Sequence, residues 1–135
     1  MEKSNKENAE HFVSAMSAFT IIDESFDDED TIDAYLDWRD TDPFDSNWTA
    51  ADARLKDHLA MITAEADRTW IEQLQEQGRK RVYMAVIRQT GHADLAAYAS
   101  NDVDLIIGFL AAGKDDDFTH FLRTAYENGT LPSDK

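Results

Sequence analysis

The sequence predicts a predominantly helical α+β fold, with about five helices and one short strand or β-hairpin near residues 81–99; an all-α fold is the alternative. Apolar side chains recur at steps of three and four residues over most of the chain, which is the spacing of one helix face. One run, residues 82–87, is instead β-branched and bounded by glycines. The length of 135 residues and the 42% hydrophobic content fit a single domain over residues 1–135 with a packed core.

A first helix is predicted over residues 5–19, because apolar side chains recur there with helical spacing. The side chains on that face are Phe12, Ala15, Met16 and Phe19. Glu7, near the start, suits the positive end of the helix dipole.

Residues 23–47 form an acidic, partly irregular segment. Between Asp23 and Asp45 there are 11 acidic residues and one base, Arg39, so this stretch carries −10 of the formal net charge of −15. Its interleaved apolar and aromatic residues argue against a disordered tail. Positions 32, 35 and 36 have helical spacing, which predicts a short helix over residues 30–39.

The strongest helical signal covers residues 49–77. Six apolar side chains from Leu55 to Leu74 are spaced by three or four residues, and neither glycine nor proline interrupts them. Gly78 is placed to end the helix. Whether this stretch is one helix, or two helices with a break near Thr63, stays open at this point.

The strand is predicted at residues 82–87, between Gly78 and Gly91. Residues 94–99 are the candidate hairpin partner because apolar side chains alternate there, although alanine is a poor strand former. The β content of the predicted fold rests on these two stretches.

Two more helices are predicted near the end of the chain. The first is capped by Ser100 or Asn101 and ended by Gly113. The second begins at residues 115–117 and ends before Gly129. Its inward-facing side chains are Phe118, Phe121, Leu122, Ala125 and Tyr126.

Charge and composition exclude several function classes. A net charge of −15, with a sequence pI near 4.4, argues against direct binding to nucleic acid or to an anionic membrane. No cysteine is present, which excludes disulfides, thiolate metal sites and a cysteine nucleophile. The start of the chain does not form a secretory signal, and no window approaches the roughly 20 apolar residues of a membrane helix. A cytoplasmic location is the expectation.

No motif for catalysis or for cofactor binding is present. The chain lacks the nucleophile-elbow, phosphate-loop and calcium-loop patterns. Histidines next to carboxylates are expected by chance among 28 acidic residues and predict no metal site. These neighbours are Glu7 with His11, Asp57 with His58, His92 with Asp94, and Asp117 with His120. The basic residues 79–81 and Arg88 are interpreted as balancing the negative charge of acidic groups within the same molecule. We therefore predict no catalytic residue, no cofactor and no bound metal.

The acidic segment is the candidate binding site. Concentrated charge of one sign costs stability through self-repulsion, and aromatic side chains are enriched at binding hot spots. Their combination favours a surface complementary to a basic protein over an inert, solvated face. The candidate partner-binding residues are Asp27, Asp28, Glu29, Asp30, Asp33, Tyr35, Asp37, Trp38, Asp40, Asp42, Phe44 and Asp45. Tyr35 and Trp38 are the expected anchors.

These features favour a binding-only acidic inhibitor that occludes a basic surface or active site of a partner protein, such as a toxin, a nuclease or an effector. In size, charge and lack of a catalytic motif the chain resembles bacterial immunity proteins and antitoxins. One alternative is an acidic secretion chaperone or adaptor, in which residues 82–87 form an edge or dimer strand. Another is a DNA mimic that inhibits a nucleic-acid-binding protein. Whether the chain forms a homodimer stays open.

Overall fold

The computed structural model describes residues 2–114 and 116–133, with side chains from Asn5 onward, and these residues form helices and turns but no strand. The elements are α1 (Glu2–Met16), a 3₁₀ turn (Glu24–Asp27), α2 (Glu29–Arg39), α3 (Phe44–Ala60), α4 (Glu65–Thr90), α5 (Ala93–Ala112) and α6 (Asp117–Glu127). The prediction of an α+β fold is therefore wrong, and the all-α alternative is correct.

The expected strand and its hairpin partner are parts of two long helices. Residues 82–87 lie in α4 and residues 94–99 lie in α5. Val82, Ala85 and Val86 are buried at positions i, i+3 and i+4, so they form one face of a helix that packs in the core. This packing outweighs the β preference of the branched residues, because intrinsic propensities differ by only about 1 kcal/mol.

Gly78 does not end a helix but lies inside α4, where it allows close approach to α5. A Cβ atom at this position would collide with Cδ1 of Ile107 and lie 3.1 Å from Cγ1 of Val103. Gly108 plays the corresponding part on α5, since its Cβ would lie 2.5 Å from Cδ2 of Leu55. Gly108 therefore marks a close contact between α5 and α3.

The core is built around α5. Twelve of its 20 residues are buried, and helices α1, α3, α4 and α6 all pack against it. Its length and composition would suffice to cross a membrane, contrary to the expectation from the sequence, but 67% of its apolar window is buried by the other helices. The core helix of a globular fold can have the same length and apolar composition, because burial on all sides favours apolar residues on every face of the helix.

Two helix starts differ from those expected. The region 49–77 contains two helices, since α3 begins at Phe44 rather than Thr49 and residues 61–64 separate it from α4. The break near Thr63, one of the two alternatives, is therefore present.

Helix α5 begins earlier than expected, at Ala93. Its cap is His92, whose Nδ1 accepts a hydrogen bond from the Leu95 N–H at 3.2 Å. Ser100 and Asn101, the expected caps, lie inside the helix. The apolar run before them, residues 94–99, contributes to the buried face of α5, although its alternating pattern predicted a strand.

The ends of the last two helices agree with expectation. Gly113 ends α5 with a left-handed φ of 68°, which glycine adopts without strain. Asp116 caps α6 by accepting a hydrogen bond from the Thr119 N–H at 3.1 Å. Residue 115, expected near this start, lies outside the described residues.

Candidate functional site

Within residues 23–47, the stretch from residue 23 to residue 45, from here on called the acidic segment, presents its carboxylates to solvent. All 11 of its acidic side chains are exposed. Arg39, its one base, is only 5% exposed and pairs with the fully buried Asp102. No cation of the segment therefore reaches the surface, and its exposed formal charge is −11 rather than the −10 counted from the sequence.

Four of these carboxylates form a stripe along α2, a helix that the sequence predicted. At roughly 100° per residue, their positions fall within an arc of about 100° of the helix surface. These residues, here called the acidic stripe, are Glu29, Asp30, Asp33 and Asp37. The buried side chains of α2 point away from this arc, towards the core.

A buried ion pair holds α2 against α5. Nη1 and Nη2 of Arg39 donate to Oδ2 and Oδ1 of Asp102 at 2.9 and 2.7 Å. The ring centroids of Phe44 and Tyr98 lie 4.5 and 5.3 Å from the guanidinium carbon, within cation–π range. Burial disfavours the charged guanidinium, but the facing Asp102 carboxylate, its hydrogen bonds and the neighbouring tyrosines together outweigh burial and raise the pKa of Arg39.

The Asp102 carboxylate also joins α3 and α6 to this pair. It accepts hydrogen bonds from Nε1 of Trp48 at 2.8 Å and from the hydroxyl of Tyr126 at 2.7 Å. The Tyr35 hydroxyl in turn donates to the carbonyl of Pro132 at 2.7 Å. Burial raises the pKa of both tyrosines, so their hydroxyls keep the protons that they donate. Four donors thus surround one desolvated carboxylate, which compensates for its burial.

A row of aromatic rings leads from α2 to α6. It contains Tyr35, Trp38, Phe44, Phe118 and Phe121, and neighbouring ring centroids are 5.1–6.2 Å apart. The rings of Tyr35 and Phe44 are buried, those of Trp38 and Phe118 are half-buried, and Phe121 is 39% exposed. The row therefore reaches from the core to the surface.

The exposed end of this row lines an open groove of about 700 Å³, here called the α3–α6 groove. Its lining residues are Trp38, Pro43, Phe44, Asn47, Arg54, Asp116, Asp117, Phe118, Phe121 and Ser133. Nε of Arg54 donates to Oδ2 of Asp116 at 2.8 Å. Burial opposes ionisation of Asp116, but the Thr119 N–H and Arg54 outweigh it and lower the pKa of this carboxyl.

The predicted binding residues differ in exposure. The nine carboxylates are exposed: Asp27, Asp28, Glu29, Asp30, Asp33, Asp37, Asp40, Asp42 and Asp45. Tyr35 and Phe44 are 9% and 6% exposed, so little of either ring can be reached in this conformation. Trp38, half-buried, lines the α3–α6 groove. Whether these residues contact a partner stays a prediction.

Some of the carboxylates also hold local structure. Asp28 caps α2 by accepting a hydrogen bond from the Thr31 N–H at 3.2 Å. Oδ1 of Asp33 lies 3.4 Å from Nε2 of His92, and Asp40 accepts a hydrogen bond from the Tyr98 hydroxyl at 2.9 Å. Substitutions at these positions would therefore change more than charge.

Two residues that shape this surface were not predicted from the sequence. Asp102 is the partner of Arg39, and its only signal in the sequence is that it directly precedes the buried run that starts at Val103. Phe121 was expected to face inward and is instead one of the large exposed hydrophobic side chains. Helical spacing placed it beside Leu122, but it could not show that α6 turns this position towards the groove.

Two of the histidines and two of the basic side chains have local partners. His92 caps α5, and Nδ1 of His120 lies 2.9 Å from Nη2 of Arg123. Arg79 pairs with Asp104, and Nη1 of Arg81 donates to a backbone carbonyl of α1. Within the described residues, no group of three or more metal-ligating side chains is placed to hold an ion.

The described residues thus form an acidic, all-helical protein whose surface carries a carboxylate stripe and an apolar groove. The family model described as Immunity protein PIM1 matches residues 11–133, and the chain belongs to that immunity protein family. Membership supports an immunity-type inhibitor that binds a partner protein such as a toxin. No curated protein and no solved structure matches the chain.

Proposed function

We propose that this immunity protein inhibits a basic toxin by covering its active site or substrate-binding surface with the acidic segment 23–45. The observation that carries the proposal is the exposure of all 11 carboxylates while the only cation of the segment is buried. Inhibition would be by binding alone, without catalysis, and we place the encounter in the cytoplasm.

A concentrated field of one sign accelerates association with an oppositely charged surface, because it steers the two molecules before they touch. The acidic stripe is well suited to this because it lies on a helix whose Arg39 is fixed by two hydrogen bonds to Asp102. A helix that is already held in place needs no reordering of its backbone on binding, which lowers the entropic cost of the complex.

The test removes charge without removing structure. Asp27, Asp30, Asp37 and Asp45 are exposed, and their side chains make no hydrogen bond or ion pair with other described residues. Substituting all four with asparagine should lower the association rate constant for the cognate toxin by about tenfold or more at low salt. Stopped-flow mixing with an inactivated toxin measures this rate, and co-expression with the active toxin measures protection.

A matched control removes the same charge elsewhere. Glu7, Glu10, Glu65 and Glu72 are exposed on α1 and α4, outside the acidic segment. The fourfold substitution of these residues with glutamine should leave the association rate within about twofold of wild type, since the lost charges lie farther from the contact. Equal rates and equal protection for the two fourfold variants would contradict the proposal.

A further inference from the structure

We infer that the α3–α6 groove is the socket for an apolar side chain of the toxin, carried on a segment that also presents lysine or arginine. This inference rests on the proposed function and adds to it the second half of the contact. The acidic segment would bring the partner in, and the groove would hold it.

The groove presents apolar surface to solvent. Phe121 is 39% exposed although it lies on α6, whose neighbouring Leu122 is fully buried. Its ring centroid lies 6.2 Å from that of Phe118, so it continues the aromatic row rather than standing alone. Accessible aromatic side chains are enriched at the centres of protein–protein contacts.

Charge decides which kind of occupant fits. Among the described residues that line the groove, the only cation is Arg54, and it is engaged by Asp116. Asp117 also lines the groove, and the exposed Asp42 and Asp45 flank its Pro43 and Phe44. The surroundings are therefore net negative, which favours a segment with cationic side chains around its apolar one.

Negative charge around the groove also disfavours a second copy of this chain as the occupant. Each copy carries a formal net charge of −15, so two acidic faces brought together would repel each other. A basic toxin instead gains favourable interactions at both the groove and the acidic stripe. A buried aromatic contact also supplies what charge does not, namely slow dissociation.

The test separates the two halves of the contact by their kinetics. Phe121→Ala should accelerate dissociation of the inactivated cognate toxin at least about tenfold and leave the association rate nearly unchanged. Asn47→Trp, which places a large ring in the groove from an exposed position on α3, should weaken binding to a similar degree. Met84→Ala is the control, because Met84 is a 50% exposed side chain on α4 outside the groove.

Surface plasmon resonance measures both rate constants, and thermal melts verify that each variant is folded. If Phe121→Ala dissociates within twofold of wild type, or if Asn47→Trp binds with wild-type affinity, the groove is not the socket. The proposed function would still stand if the fourfold asparagine variant associates slowly. The proposed function would be contradicted, and the groove contact supported, if the fourfold asparagine variant associates as fast as wild type while Phe121→Ala dissociates faster.

Discussion

At the scale of single residues, Arg39 and Asp102 determine how the acidic surface is held. The pair is bidentate, buried, and reinforced by Trp48 and Tyr126, which donate to the same carboxylate. Its position also sets the surface charge, because the only cation among 11 acidic side chains is turned inside. Stability and the field presented to a partner thus depend on one interaction.

Asp102→Asn should lower the free energy of unfolding by about 3–5 kcal/mol, because it leaves the buried Arg39 guanidinium without a compensating charge. Urea unfolding followed by circular dichroism measures the change. Lys56→Gln is the control: it breaks the exposed Lys56–Asp52 pair, with 3.0 Å between Nζ and Oδ2, and should cost less than about 1 kcal/mol. Similar losses for the two variants would show that the buried network contributes little.

At the scale of elements, α2 and α4 are held in different ways. The closest backbone neighbour of α2 is the 3₁₀ turn, and side chains such as Arg39 and Tyr35 join it to α5 and to the C-terminal segment. Helix α4 instead packs closely along α5, and a Cβ atom at Gly78 would collide with the side chain of Ile107. The acidic stripe therefore depends on a few polar contacts, whereas the core depends on close helix packing.

Gly78→Ala should reduce the free energy of unfolding by about 1 kcal/mol, although alanine favours helix formation. Overpacking typically costs about 1–3 kcal/mol, and the gain in helix propensity is at most about 1 kcal/mol. The double variant Gly78→Ala/Ile107→Val removes the Cδ1 atom that the new methyl group would meet, so it should be more stable than the sum of its single substitutions. Additive effects in urea unfolding would show that the contact is not the cause.

At the scale of the whole molecule, charge sets the behaviour in solution. The formal net charge of −15 is unevenly distributed, since an exposed charge of −11 belongs to residues 23–45. Such a surface costs some stability through self-repulsion and is an advantage only when a basic partner approaches. The fold accommodates it by placing the segment on one short helix and its flanking turns, beside an apolar core centred on α5.

The association rate constant of the unsubstituted protein with its toxin should fall several-fold between low salt and about 0.15 M salt, where the Debye length is roughly 8 Å. Dissociation should change much less, because the expected contact at the groove is apolar. Stopped-flow measurements over a salt series test both rates. An association rate that is independent of salt would argue against electrostatic steering.

Local and additive features could be predicted from the sequence. Charge count and cysteine content follow directly from composition, helical spacing identified α2, and glycine positions placed the ends of α5 and α6 just before Gly113 and Gly129. The resemblance to immunity proteins, drawn from size and charge, agrees with the family of the chain. Such properties depend on residue type and on neighbours within one or two helical turns.

Three features follow from tertiary contacts alone. They are the helical conformation of the β-branched run at residues 82–87, the pairing of Arg39 with Asp102, and the exposure of Phe121. Each depends on residues that are distant in the sequence. Gly78 is a helix end by local rules, yet it lies inside α4 because α5 packs against it. The physical reason is that burial against a neighbouring helix contributes more free energy than the propensity of any one residue.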